Sequence, residues 1–390
     1  MKMVLSLERL LQFLLLMMHD DLLQSKLNGR VADLSLRKLQ TSEGLIDFCS
    51  NDYLGFSKSQ EILQQVLSMN IAASGRLIGS GGSRLICGNN ELIETIEENV
   101  ASFVNASSAL LFNSGYSANI GFFSCVPQRG DVVFYDEFVH ASIRDGIKLG
   151  LSKSYSFQHN NIADLIRRYE LLACDQTVFV VVESIYSMDG DMPDLLEIAQ
   201  FCKEKNIRLV VDEAHSFGWL GEGRGLVSKL GLEDITYARI ITFGKALGCH
   251  GAVVVGDELL RSYLVNFARS FIYTTAPSIM DQKCVYVALE KLVSIDFKSL
   301  KINSLIDLFK SLIKESDLNV IPSRNLIQSV LIPTNRLALS TEQRLRKNGI
   351  WAKAILSPTV PIGKERIRIC LHEFNTEDEV KKLIDCLSNV

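Results

Sequence analysis

Strand-length runs that are apolar from end to end constrain this chain more than any other feature. They are SALLFN (108–113), DVVFYD (131–136), TVFVVVES (177–184), IRLVVDE (207–213), ARIITF (238–243) and GAVVVGD (251–257). Most do not alternate apolar with polar, which is the pattern of strands covered on both faces. Helical patterns lie between them, near 90–104, 115–125, 140–149, 161–173 and 194–205. Strand–helix alternation predicts an α/β fold with a large, mostly parallel sheet and right-handed crossovers. Ligands of such sheets bind beyond the carboxyl ends of the strands. After about residue 280 the pattern changes. Helices near 279–295, 299–315 and 339–348, strands at 327–333, 350–355 and 366–371, and a helix over 376–388 predict a smaller α+β C-terminal domain. The expected division is an N-terminal arm over 1–50, a large domain over 51–280 and a small one over 281–390.

The 41 Lys and Arg against 45 Asp and Glu leave a net charge of −4, the wrong sign for a protein that coats nucleic acid. Nine cysteines stand at 49, 87, 125, 174, 202, 249, 284, 370 and 386. The number is odd and no CxxC pair occurs, which argues against a disulfide framework or a zinc site and favours a reducing cytoplasm. The apolar run over 10–18 is too short to span a bilayer. Two readings of it stand: a docking helix, or a translation start at Met17 or Met18 that leaves the run outside the native chain.

DEAH at 212–215 suggests a nucleotide-hydrolysing helicase, but no GxxxxGK[ST] loop accompanies it. GSGGSR (79–84) is not GxGxxG and follows no strand pattern, so a dinucleotide fingerprint is also missing. Asp212 alone would be an ordinary helix cap, and Lys245 alone a surface lysine. Together they end neighbouring strands at the ligand-binding rim. An acid and a lysine in that arrangement suit a pyridine aldehyde: the lysine forms a Schiff base with it, and the carboxylate keeps the ring nitrogen protonated so that the ring accepts electrons. NSGYSAN (113–119) turns from a strand into a helix whose free N–H groups suit a phosphate. His140 opens a helix after another strand of the same sheet and can stack on such a ring. His215 lies three residues past Asp212, in reach of a phenolic oxygen, and Thr242 and Ser187 are hydroxyls at strand ends.

These residues sit in a longer series of motifs: SNDYLGFS (50–57), GSGGSRLICGN (79–89), SGYSAN (114–119), HAS (140–142), ESIYSMDGD (183–191), VDEAH (211–215), TFGKALG (242–248), FARSFIYTT (267–275) and SPTVPIGKERIRI (357–369). In that order they resemble the α-oxoamine synthases, pyridoxal 5'-phosphate enzymes of the aspartate-aminotransferase-like fold (PLP fold type I). The resemblance runs from about residue 30 to the C-terminus. It implies Lys245 as the Schiff-base lysine, Asp212 as the ring-nitrogen partner and His140 as the stacking residue. Gly115 and Tyr116 match the backbone phosphate cradle, and Ser187, His215 and Thr242 further cofactor contacts. Thr275 would reach the phosphate of a partner subunit in a homodimer with shared active sites. Asn51, Thr359 and Arg368 match substrate-side positions, with Arg368 for the amino-acid carboxylate and Arg366 as its neighbour and competitor. The N-terminal substrate arginine falls on Arg37 or Arg30, with Arg37 favoured. Asn90 stands where many members carry His, and His250 where Ser or Gly is usual.

The reaction implied is a decarboxylative condensation of L-alanine with a pimeloyl thioester, carried on CoA or acyl carrier protein, in biotin biosynthesis. Within the family the rivals are glycine with acetyl-CoA or succinyl-CoA, and serine with a long acyl-CoA. A binding or scaffold protein on the same fold is the rival of another class, and the joint presence of Lys245, Asp212 and His140 argues against it.

Overall fold

A computed structural model of the chain describes residues 21–69, 76–172 and 176–388. The apolar run over 10–18, Met17, Met18 and Cys174 lie outside the described residues.

The strands are β1 (Ile46–Asp47), β2 (Ser108–Phe112), β3 (Val132–Asp136), β4 (Lys153–Phe157), β5 (Val178–Glu183), β6 (Arg208–Asp212), β7 (Thr236–Thr242), β8 (Ala252–Gly256), β9 (Val320–Ile321), β10 (Ile327–Leu331), β11 (Ile350–Trp351), β12 (Lys353–Ile355) and β13 (Arg366–Cys370). A 7-stranded sheet runs β2-β8-β7-β6-β5-β3-β4. Its neighbours pair in parallel from β7 through to β4, and β8 lies antiparallel to both β7 and β2. The fold is thus α/β with a mixed, mostly parallel central sheet, as the apolar runs require. Every residue of β5 is buried. Val180 and Val182 enter one core cluster and Phe179 and Val181 the other, so alternate residues of one strand fill the space above and below the sheet.

The helices that matter for the site are α1 (Gly115–Cys125), α2 (Ala141–Leu149), α3 (Leu195–Glu204), α4 (Ile279–Val293) and α5 (Asn335–Lys347). Each begins where a polar side chain takes up a free backbone N–H: Ser114, His140, Asp194, Ser278 and Thr334. The smaller sheet is antiparallel and runs β12-β13-β10-β9.

Among the departures from the sequence reading, three are instructive. β4 was not expected, because KSYSF has no continuous apolar run. It is an edge strand whose first three residues are exposed. The strand expected over 350–355 is two strands: β12 joins β13, whereas β11 pairs in parallel with β1. That pairing carries the N-terminal segment onto the smaller sheet, where Cys370 N donates to Phe48 O (2.8 Å) and Glu373 N to Tyr53 O (2.8 Å). The helix expected over 339–348 starts earlier, because Thr334 caps it by accepting from Leu337 N (3.2 Å).

Candidate active site

The residues expected at the sheet's rim do follow the strand ends. Asp212 closes β6, and its register partner on β5 is Glu183. Thr242 closes β7, and Lys245 follows in a tight turn held by Gly248 N to Lys245 O (2.8 Å) and Cys249 N to Phe243 O (2.9 Å). Gly248 has φ +60° and lies so close to Ser57 that an added Cβ would sit 2.3 Å from the Ser57 nitrogen, so both conformation and space demand glycine. His215 lies in turns after Asp212, not on a regular helix.

Lys245 Nζ bonds His215 Nε2 (2.9 Å), and His215 Nδ1 bonds the Tyr53 hydroxyl (2.7 Å). Tyr53 in turn donates to Asn51 Oδ1 (3.3 Å), which also accepts from Arg368 Nη2 (2.9 Å). A continuous polar chain therefore joins the lysine to the arginine. Burial, then the charge of Lys245, holds His215 well below the usual histidine range. A neutral His215 accepts from Lys245 at Nε2 and donates from Nδ1 to Tyr53, which gives every member of the chain a consistent direction. Burial likewise pushes the Lys245 amine down to about 8, against the pull of Asp212 and Glu183.

Asp212 accepts from Ala214 N at Oδ1 (2.9 Å) and from Asn119 Nδ2 at Oδ2 (2.9 Å). Asn119 Nδ2 also reaches Ser142 Oγ (3.0 Å), whose hydroxyl bonds His140 Nδ1 (2.8 Å). Burial and the neighbouring Asp212 push Glu183 up to about 8, so it is mostly uncharged at neutral pH, and it accepts His140 N–H (2.5 Å). Burial lowers His140 in turn, with Asp212 opposing. The Asp212 carboxyl, fixed at both oxygens, thus faces the cleft beside a neutral acid.

Helix α1 leaves the N–H groups of Gly115 and Tyr116 without intrahelical acceptors, while Ser114 Oγ accepts from Ser117 N (3.1 Å). Thr242 Oγ1 lies opposite. A Cβ on Gly115 would stand 3.6 Å from it and fill the space that an anion would take. The Tyr116 hydroxyl points away, to Asp145 Oδ2 (2.8 Å). An amine of lowered basicity, a fixed carboxylate and a helix N-terminus with an open cradle fit a phosphorylated pyridine aldehyde.

On the substrate side, Arg368 Nε donates to Ser187 O (2.6 Å) and Arg37 Nη2 to Thr359 Oγ1 (3.4 Å). Arg37, Thr359 and Met188 line a cleft of about 720 Å³. Arg30 lines the same cleft, where it bonds Ser35 (3.5 Å), and Arg366 is taken up by an ion pair with Asp189. The carbonyl of Thr275 accepts from Asn113 Nδ2 (2.8 Å) of the same chain, next to the Ser114 cap, and its side chain is exposed. Asn90 caps its helix by accepting from Ile93 N (3.2 Å), and His250 is exposed.

Sequence reasoning passed over Tyr53, Asn119, Ser142 and Glu183. All four lie inside motifs that were singled out, but only tertiary geometry shows that each orients a neighbour.

Because the amine must be neutral to attack an aldehyde, uptake of pyridoxal phosphate by apoprotein should quicken about tenfold per pH unit below pH 8 and level off above it. Stopped-flow absorbance across pH 6–10 reads this directly. A profile that levels off only near the ordinary lysine value would contradict it.

Comparison with known proteins places the chain. The family model for aminotransferase class I and II matches residues 43–387. The 8-amino-7-oxononanoate synthase of Emericella nidulans is 38% identical over 94% of this chain and 95% of that protein. The crystal structure of the 8-amino-7-oxononanoate synthase from Francisella tularensis superposes with a TM-score of 0.74 at 28% identity, covering 89% of this chain and 98% of that one. Serine palmitoyltransferase of Sphingomonas wittichii superposes with a TM-score of 0.87 at 22% identity over 95% and 96% of the two chains, a likeness of fold.

Proposed function

The chain belongs to the aminotransferase class I and II family, and we propose that it is a pyridoxal phosphate-dependent acyltransferase condensing L-alanine with a pimeloyl thioester to give 8-amino-7-oxononanoate, CO2 and free thiol in biotin biosynthesis. The observation that carries this reading is the polar chain from Lys245 through His215, Tyr53 and Asn51 to Arg368. It links a proton-transferring amine to a cation that suits a carboxylate, as an amino-acid substrate needs. The identity to an 8-amino-7-oxononanoate synthase over nearly the full length of both chains supports the choice of reaction.

Pyridoxal phosphate, when bound, supplies an electron sink for the pair left at the amino acid's Cα. Arg368 binds the substrate carboxylate through its guanidinium fork, which Ser187 O and Asn51 Oδ1 orient. Lys245 Nζ takes the Cα proton, and its lowered basicity keeps a share of it neutral near pH 7. Asp212, held at both oxygens, would keep a proton on the ring nitrogen. Gly115, Tyr116 and Thr242 would hold the phosphate, and His140 would stack on the ring. Arg37 and Thr359 stand at the acyl side of the cleft. CoA or acyl carrier protein brings the acyl group.

The reading extends to a cytoplasmic homodimer with shared active sites, in which Thr275 approaches the phosphate of the partner subunit. It also extends to an arm over 1–50, a large domain over 51–280 and a small one over 281–390. Among the described residues no helix is long and apolar enough to cross a membrane.

Selection of alanine rests on the room around one methyl group, worth about 1–3 kcal/mol in an apolar pocket. Turnover should therefore be greatest for L-alanine with pimeloyl thioester, with slower turnover of glycine, in a matrix of L-alanine, glycine and L-serine against pimeloyl, acetyl and palmitoyl thioesters scored by CO2 and free thiol. A dominant glycine–acetyl or serine–palmitoyl cell would move the chain to another reaction of the same chemistry.

A further inference from the structure

The turn over 186–191 touches both sheets. It is closed by Tyr186 N to Asp191 O (3.0 Å) and Gly190 N to Tyr186 O (2.8 Å). Three of its carbonyls accept from the small-sheet side. Ser187 O accepts from Arg368 Nε (2.6 Å), Met188 O from Ser329 Oγ (2.6 Å) and Gly190 O from Asn325 Nδ2 (2.8 Å). Asp189 pairs with Arg366. Gly190 has φ +74°, and an added Cβ would sit 2.1 Å from Ile327 O, so the turn abuts β10 with no room to spare.

Its other end is held by a residue outside the site described so far. His159 Nε2 bonds Asp191 Oδ2 (2.7 Å), and its Nδ1 bonds Asp136 Oδ1 (2.9 Å). With a carboxylate on each nitrogen, both must donate, so the ring is an imidazolium. Burial alone would lower its basicity, but the two carboxylates outweigh burial and raise it to about 9. Phe138 stacks on the ring at 4.3 Å and Tyr186 meets it edge-on at 4.5 Å. Asn160 Nδ2 adds a second bond to Asp191 (2.6 Å), and Asn160 N a second to Asp136 (2.8 Å). Asp136 is the last residue of β3, so the turn is fastened to the rim of the large sheet.

We propose that His159 is a positioning residue: held between Asp136 and Asp191, it fixes the 186–191 turn and, through Ser187 O, the guanidinium that receives the amino-acid carboxylate. This rests on the assignment of that carboxylate to Arg368. Because Met188 of the same turn lines the acyl-side cleft, the latch acts most on affinity for the amino acid, less on the thioester and least on the cofactor, an ordering that a merely structural histidine would not produce.

The test uses holoprotein. In His159→Gln, the dissociation constant of L-alanine, read from the visible absorbance of the bound cofactor, should rise about tenfold, as loss of one charge-assisted bond implies. Cofactor content should stay at the parent value, and KM for pimeloyl-CoA should rise clearly less than the alanine dissociation constant. Asp191→Asn should give the same split, and the double variant should be no worse than either single one; Asp191→Asn carries the test if His159→Gln does not fold. Arg368→Ala is the reference. If it binds alanine like the parent, the assignment to Arg368 is wrong. If it weakens alanine while His159→Gln does not, the latch alone is wrong. Equal loss of alanine, cofactor and thioester binding in His159→Gln would also overturn the proposal, by making the residue structural.

Discussion

Lys245→Ala should fold, bind pyridoxal phosphate only reversibly and lose essentially all turnover. The lysine is asked to do two things that no neighbour can take over. In the proposed reaction it would hold the cofactor covalently, so borohydride treatment of the parent should leave a reduced pyridoxyl group on Lys245 and none on the variant. It would also move the Cα proton, a role worth about 10²–10⁴ in rate on its own. The nearest proton carrier is His215, but burial holds that imidazole far below its usual basicity, and its Nδ1 is committed to Tyr53. Turnover should therefore drop by at least about three orders of magnitude. Stability should not suffer, because burial already disfavours the ammonium that is removed. Mass spectrometry that finds the reduced cofactor on another lysine, or a variant with more than a few per cent of parent turnover, would refute the assignment.

Much of the site could be read from the chain because its parts sit at strand ends, and strand ends are marked in one dimension. IRLVVDE places Asp212 at the rim because apolar residues on both faces stop there, and the structure ends β6 at that residue. SALLF followed by NSGYSAN marks a strand-to-helix turn in the same way. What the sequence left hidden needed a partner far along the chain. Tyr53 bonds His215, 162 positions away, and Asn51 bonds Arg368, 317 positions away. Both contacts depend on β1 pairing with β11, and a two-residue strand carries no periodicity to detect. KSYSF fails as a strand signal for a related reason: an edge strand needs no apolar surface on its outer residues. Arg366 and Arg368 show the same limit. They are two residues apart on β13 and therefore share a face, so spacing could not choose between them. The ion pair of Arg366 with Asp189 makes the distinction.

Asp212→Asn should keep its cofactor and lose about a hundredfold in turnover, since a buried charge-assisted bond at the reacting ring is worth about 3 kcal/mol. The reasoning begins with what already surrounds the carboxylate. Ala214 N–H occupies one oxygen and Asn119 Nδ2 the other. An amide in place of the carboxylate must turn its own NH2 toward one of these donors, so one hydrogen bond is replaced by a repulsion, and no charge remains to hold a proton on the ring nitrogen. Glu183, its register partner on β5, cannot substitute. Burial, more than the neighbouring Asp212, raises it to about 8, and its Oε1 is engaged with His140 N–H. Removing the Asp212 charge takes away one of the causes that raise Glu183, so in the variant Glu183 should titrate lower than in the parent, visible as a shifted limb in the pH dependence of the cofactor absorbance. Folding should be little affected, because β6 keeps its buried residues and its register. Parent-like turnover in Asp212→Asn would show that the ring needs no anionic partner here. A colourless, cofactor-free protein would show that the carboxylate anchors the ring instead of tuning it.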